Sequence, residues 1–258
     1  MLVTDQVSKQ FGGMAVLNRV SISVEPGEIV GLVGPNGSGK TTLLNCLSGF
    51  LAPDEGTIRF GDIRLDRMPA WKISRLGVRR TFQLASQPLK MTVLEAMLCG
   101  APLPVGASVL GLLRAKRRKA EEREAIDRAR ELLDMLKLSH LMHQPAGQLS
   151  GGQQKLLSIG TALMDKPSVL LLDEPTAGVN PTLRLGLVER LKEVHKAGTS
   201  LLIIEHDMDF IARLCHRVYV LDRGEVIANC HPSELKDNAR VVEAYLGAPK
   251  TTAVAEGE

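Results

Sequence analysis

The stretch Gly34-Pro35-Asn36-Gly37-Ser38-Gly39-Lys40-Thr41 constrains this chain more than any other. It fits the pattern GxxxxGK[ST], and its surroundings suit that pattern. Glu28 to Val33 is a short apolar run of strand character, and Thr41 to Leu47 has helical apolar spacing. Strand, glycine-rich loop and helix in that order make a backbone that can curl, because glycine carries no Cβ. Its N–H groups then converge on an anion at a helix N-terminus. In such a loop Gly34 to Gly39 cradle phosphate, with Thr42 beside them on the helix. Lys40 reaches the β- and γ-phosphates of a nucleotide, and the Thr41 hydroxyl ligates Mg²⁺.

The rest of the chain alternates in a way that suits a parallel sheet. Ser21 to Val24 alternates polar with apolar before a Glu25-Pro26-Gly27 turn, so the start reads as hairpin material. Strands are predicted at Thr57–Phe60, Val78–Phe82, Ser168–Leu172, Ser200–Ile204, Arg217–Leu221 and Glu225–Ala228, the last two joined by a turn at Asp222-Arg223-Gly224. Helices are predicted from Gly151 to about Met164, over Pro181–Lys196, and near Met208–Leu214. The spacing of Ile126, Ala129, Leu133 and Leu136 marks an amphipathic helix within 114–138, with Glu124 and Arg128 one turn apart as a favourable pair. Its basic start, Arg114 to Lys119, reads either as a phosphate-binding patch or as a solvated helix start near a membrane-facing surface. Together these elements predict an α/β fold with a largely parallel sheet. The expected organisation is one domain over 1–248, its core at 1–84 and 163–248, a helical insertion at 85–162, and a loose tail at 249–258.

Two further segments carry chemistry. Val169 to Leu172 runs as an apolar strand into Asp173-Glu174. Only the strand end can open on the phosphate site, so Asp173 is placed to bind Mg²⁺ directly or through water, and Glu174 to orient and polarise an attacking water. Leu149-Ser150-Gly151-Gly152-Gln153 precedes a helix. There Ser150 serves as N-cap and the paired glycines expose N–H groups that suit a second anion, although the same residues also make an ordinary cap. His140 and His143 lie three apart without carboxylates or cysteines around them, and are read as helix-end or loop residues.

Composition narrows the classes. With 32 basic and 29 acidic residues the net charge is only +3, and aromatics are 3%, which disfavours a nucleic-acid partner. The four cysteines show no CxxC spacing, so neither a disulfide framework nor a zinc site is expected, and a reducing compartment fits. The N-terminus lacks the basic and apolar regions of a signal peptide. Leu94 to Leu113 is apolar, but Glu95, Pro102 and Pro104 interrupt it, so it is not read as a membrane span.

The glycine loop, the Leu-Leu-Asp-Glu strand end and the LSGGQ segment together resemble the ATP-binding subunits of ABC transporters, over nearly the whole chain. The resemblance implies a P-loop NTPase (RecA-like) core with an N-terminal antiparallel β subdomain and an inserted α-helical subdomain. It further implies a head-to-tail dimer holding two ATP, in which Ser150, Gly151, Gly152 and Gln153 of one subunit close over the γ-phosphate held by the other. Phe11 matches the aromatic that stacks on adenine, and Val16 matches a position lining the base pocket. Gln83 matches the glutamine that touches Mg²⁺ and water, and His206 matches the histidine that holds the γ-phosphate. Asn180 in Ala177-Gly178-Val179-Asn180 stands where many relatives carry aspartate. Leu156 and Thr161 replace arginines that often follow the signature, from which weaker anchoring of that helix is expected.

Within that family, Phe11-Gly12-Gly13, Arg80-Thr81-Phe82-Gln83, Glu205-His206-Asp207-Met208-Asp209-Phe210 and Glu243-Ala244-Tyr245-Leu246-Gly247 resemble the high-affinity branched-chain amino-acid importers. Gly151 departs from several of these, which carry tyrosine there. The implied setting is the cytoplasmic face of the inner membrane, bound peripherally to transmembrane permease subunits that dock near Gln83 to Gly100. The dimer would be homomeric or formed with a second ABC ATPase, and a periplasmic or extracellular solute-binding protein would take part indirectly. The apolar Leu98–Leu113 stretch is read either as partner surface or as packing within the helical subdomain. The competing readings are a soluble ABC ATPase such as a metal-cluster assembly ATPase, and a lipopolysaccharide-export ATPase of the same branch.

Overall fold

The computed structural model describes residues 1–81, 90–102 and 115–246. The chain opens with a long hairpin, β1 (Leu2–Phe11) and β2 (Met14–Val24), in which Phe11 faces Met14. Gly12 and Gly13 both have positive φ there, as a two-residue hairpin turn of the right twist requires. β4 (Glu55–Phe60) and β5 (Ile63–Arg64) complete an antiparallel sheet in the order β2-β1-β4-β5.

The second sheet carries the rest of the strands: β3 (Ile29–Val33), β6 (Val78–Arg80), β7 (Val169–Asp173), β8 (Ser200–Ile204), β9 (Arg217–Asp222) and β10 (Glu225–Cys230). Their order is β10-β9-β3-β8-β7-β6, parallel throughout except for β10. A parallel sheet needs both faces covered, and the side chains divide accordingly. Ile29, Val33, Leu170, Leu172, Leu201, Ile203, Val218 and Val220 enter a core shared with α5 (Gly151–Leu163), α6 (Pro181–Lys196) and α7 (Met208–Leu214). The alternate residues, among them Val30, Leu32, Leu171, Leu202 and Leu221, face α1 (Lys40–Leu47) and the antiparallel sheet. Arg217 ties the two sheets together: its Nε lies 2.9 Å from Glu28 Oε1, and its Nη2 donates to Ser23 O at 3.1 Å.

Three short helices, α2 (Ala70–Arg75), α3 (Val93–Leu98) and α8 (Ala239–Leu246), and the long α4 (Ala115–Met135) fill the remaining connections. α3, α4 and α5 pack on one another, and Gly160 permits the close approach. A Cβ there would stand 2.7 Å from Met97 Sδ and 2.8 Å from Leu136 Cδ1.

The amphipathic helix predicted to reach 138 stops at Met135, because Lys137 takes a left-handed conformation with φ 58°. Leu136 and Leu138 lie beyond its end and are buried all the same. Arg128 reaches forward to Glu131 (3.5 Å) instead of back to Glu124. The predicted strand Val78–Phe82 is regular only to Arg80; Phe82 lies outside the described residues, as do most of Leu98–Leu113 and the tail at 249–258. Among the described residues, no helix is long and apolar enough to cross a membrane.

Candidate functional site

β3, β8 and β7 are neighbours in the sheet, and all three end on the same side. In open parallel sheets ligands bind outside these carboxyl ends. The glycine loop follows β3, Asp173-Glu174 follows β7, and His206 follows β8 by two residues. The fold therefore gathers the three strand-end motifs at one edge.

The loop's shape is imposed by its own neighbours. Gly34 has φ 149° and Gly39 φ 104°. A Cβ at Gly34 would lie 2.0 Å from Leu221 O, and one at Gly39 2.7 Å from Val16 O. The β9–β10 turn, with Arg223 and Gly224 both at positive φ, braces the loop from behind through Gly224 N–H to Ser38 O (3.0 Å). Asn36 and Gly37 are exposed, while Ser38, Gly39 and Lys40 are buried. The Lys40 ammonium arches over the loop, donating to Gly34 O (2.9 Å) and Pro35 O (2.8 Å). Burial pulls its pKa below the ordinary lysine value, and the charges of Glu174 and Asp173 oppose that shift. The first turn of α1 is capped by glycine and has no side-chain cap among the described residues, so Thr41 and Thr42 follow a helix start open to an anion.

The acidic strand end is held from both flanks. Asp173 Oδ2 pairs with Arg80 Nη2 at 2.9 Å, and Arg80 Nη1 also donates to Asn45 Oδ1 (2.6 Å) on α1. Glu174 sits at φ 47°, a left-handed conformation that costs about 1–3 kcal/mol for a non-glycine residue. Its N–H donates to Ile204 O (2.9 Å), and its carbonyl accepts from Ala177 N–H (3.1 Å) and Lys155 Nζ (3.1 Å). Its Oε1 lies 3.1 Å from His206 Nε2. The oxygen donors here suit a hard divalent cation: the Thr41 hydroxyl, on an exposed residue, and the Asp173 carboxylate, on a largely buried side chain. Gln83, the third expected metal contact, lies outside the described residues.

Phe11 is 47% exposed at the hairpin end, with Lys9 Nζ 5.6 Å from its ring centroid. Val16 is half-buried, and its carbonyl abuts Gly39. Ser150 to Gln153 satisfy one another in a capping box: Ser150 N–H donates to Gln153 Oε1 (2.9 Å) and Gln153 N–H to Ser150 Oγ (3.4 Å). Gly151 approaches Gly178 O, at 3.6 Å from a built Cβ, and Gly152 approaches Leu183 and Val179. The signature therefore borders the segment after Glu174 within its own chain.

Three residues with a place in this geometry had no chemical role assigned from sequence: Arg80, Lys155 and Glu205. Arg80 and Glu205 fall inside segments that resemble the importers, which is the only signal the sequence offered for them. Lys155 supplies an anchor for α5 even though Leu156 and Thr161 replace the usual arginines.

The loop, acidic strand end and histidine are thus gathered at the carboxyl edge of the parallel sheet of a P-loop fold. A sequence model of the ABC transporter family matches residues 17–177. The chain is 44% identical over 248 residues to a probable branched-chain amino acid transport ATP-binding protein LivG of Archaeoglobus fulgidus, covering 96% of each. It is 37% identical over 249 residues to the high-affinity branched-chain amino acid transport ATP-binding protein LivG of Escherichia coli, covering 96% of this chain and 98% of that one. Among solved structures, the ADP conformation of MJ1267, an ATP-binding cassette of an ABC transporter, superposes with a TM-score of 0.84 at 40% identity, covering 96% of this chain and 98% of that one. A dimeric bacterial ABC transporter cassette, MJ0796, does so with a TM-score of 0.74 at 26% identity, over 90% and 99%. The chain belongs to the ABC transporter ATPase family, and it is an ATP-binding and ATP-hydrolysing subunit.

Proposed function

We propose that this subunit energises import of branched-chain or closely related amino acids through a membrane permease, at the cytoplasmic face of the inner membrane. The observation that carries the reading is the juxtaposition of Glu174 Oε1 and His206 Nε2 at 3.1 Å beside the Lys40 loop, together with the near-complete coverage of the LivG relatives.

In this reading the loop N–H groups and Lys40 hold the phosphates, and Phe11 and Val16 receive the base. Thr41, Asp173 and Gln83 would hold Mg²⁺, which when bound supplies positive charge against the phosphate oxygens. Glu174 orients the attacking water, and His206 fixes the Glu174 side chain while meeting the γ-phosphate. Catalysis is mainly positioning and charge stabilisation.

Ser150, Gly151, Gly152 and Gln153 act on the nucleotide of a second cassette, of the same or a similar chain. Support comes from the likeness to a solved dimeric cassette, MJ0796. Gly151 itself has no positive φ, and a Cβ there would meet only ordinary van der Waals contact, so its own fold does not demand glycine. The permease docks in a cavity of about 390 Å³ lined by Phe50, Trp71, Ser74, Cys99, Gly100 and Ser158. Arg80 also lines it and grips Asp173, joining that groove to the hydrolytic site. A solute-binding protein delivers the cargo to the permease.

The test is affinity purification of the Glu174→Gln chain with ATP from gently solubilised membranes, paired with leucine, isoleucine and valine uptake in cells lacking the chain. Co-purifying polytopic permease subunits and lost uptake support the reading. Soluble partners only, with uptake intact, overturn it.

A further inference from the structure

The loops that carry Glu174 and His206 are joined through a buried carboxylate to which the hydrolytic reading gives no task. Glu205, the residue after β8, is 3% exposed. Its Oε1 accepts the Thr176 N–H at 2.6 Å, and its Oε2 accepts the N–H of His206 at 3.1 Å. Burying a carboxylate is costly unless hydrogen bonds to it are made. Here the two bonds go to backbone groups of two different loops, and both are of the strong, charge-assisted kind. An amide of the same shape has one accepting oxygen and could serve only one of the two N–H groups.

The location gives those bonds a purpose. Thr176 lies two residues after Glu174, whose left-handed backbone is strained and must be held from outside. The Glu174 N–H is already pinned to Ile204 O, so the segment is fastened to β8 before and after the strained residue. The 3.1 Å spacing between Glu174 Oε1 and His206 Nε2 is set across that junction. The buried Cys215 thiol adds no competing negative charge nearby: burial, and then the Glu205 charge, push its pKa up to about 12.

We infer that Glu205 is a positioning residue for ATP hydrolysis, a two-pronged acceptor that locks the Glu174 loop to the His206 loop and so sets the distance between those two side chains. The inference rests on the reading of Glu174 and His206 as the hydrolytic pair. Replacing Glu205→Gln in the whole chain is expected to lower kcat about ten- to hundredfold. The KM for ATP should stay within about twofold. In a Glu174→Gln background the same substitution should change the residual kcat by less than about twofold, because the group it positions is already gone. If Glu205→Gln does not fold, Glu205→Asp, which keeps the charge and loses the reach, is judged by the same criteria. Wild-type kcat, or a KM that rises in step with the loss, overturns the inference. Normal turnover in Glu174→Gln alone would instead remove the hydrolytic pair on which it stands.

Discussion

Two helices of this molecule begin at glycines, and the two starts answer to different neighbours. At α1, Gly34 and Gly39 are dictated by the chain itself: positive φ and backbone carbonyls within 2.0 and 2.7 Å leave room for no side chain. The helix start then carries no side-chain cap among the described residues, and its N–H groups are left to serve an anion. At α5 the arrangement is reversed. Ser150 and Gln153 satisfy the helix start locally, while Gly151 has ordinary space around it. The first start is built by packing. The second is complete without the glycine it carries, so a side chain can stand there without disturbing the helix start.

That contrast can be broken by substitution. The largest effect is expected from Lys40→Ala, which removes the cation arched over the loop. ATP affinity should fall by about two orders of magnitude, measured by calorimetry. Gly39→Ala should come next, with a loss of about 2–4 kcal/mol in stability from the strained φ and the clash with Val16 O, read from denaturant titration. Gly151→Ala should change stability by no more than about 0.5 kcal/mol. A comparable loss at both glycines would erase the distinction between the two helix starts.

Arg80→Met, which strips Asp173 of its partner, should cost about 2–3 kcal/mol, because both side chains of the pair are about nine-tenths buried. Lys155→Met removes a single hydrogen bond to Glu174 O, worth about 1 kcal/mol, and should lower turnover only a few-fold. A larger kinetic effect at Lys155 than at Arg80 would make α5 part of the hydrolytic machinery of its own chain.

What was legible in the sequence follows from the same physics. The glycine loop and the strand ends could be read because each rule acts within a few residues: apolar runs for buried parallel strands, glycine where a loop must curl. The turn at Asp222-Arg223-Gly224 was legible for the same reason, and the structure adds that it braces the loop. The six-residue helices α2 and α3 are too short to show a period. Arg80 meets Asp173 across 93 positions, and Glu205 meets Thr176 across 29, so no local pattern announces either contact. Met135 ended α4 earlier than the apolar spacing suggested, because Leu136 and Leu138 are buried by the chain turning and not by a continued helix. Gly151 was visible as a departure from the importers, yet only the space around it showed that its own fold does not require glycine.

The most direct test of the account is single-turnover and steady-state ATP hydrolysis by Glu174→Gln beside direct ATP binding. The account predicts a dissociation constant within about threefold of the parent chain and turnover lowered at least about a hundredfold. Turnover close to that of the parent, with ATP bound equally well, would contradict it.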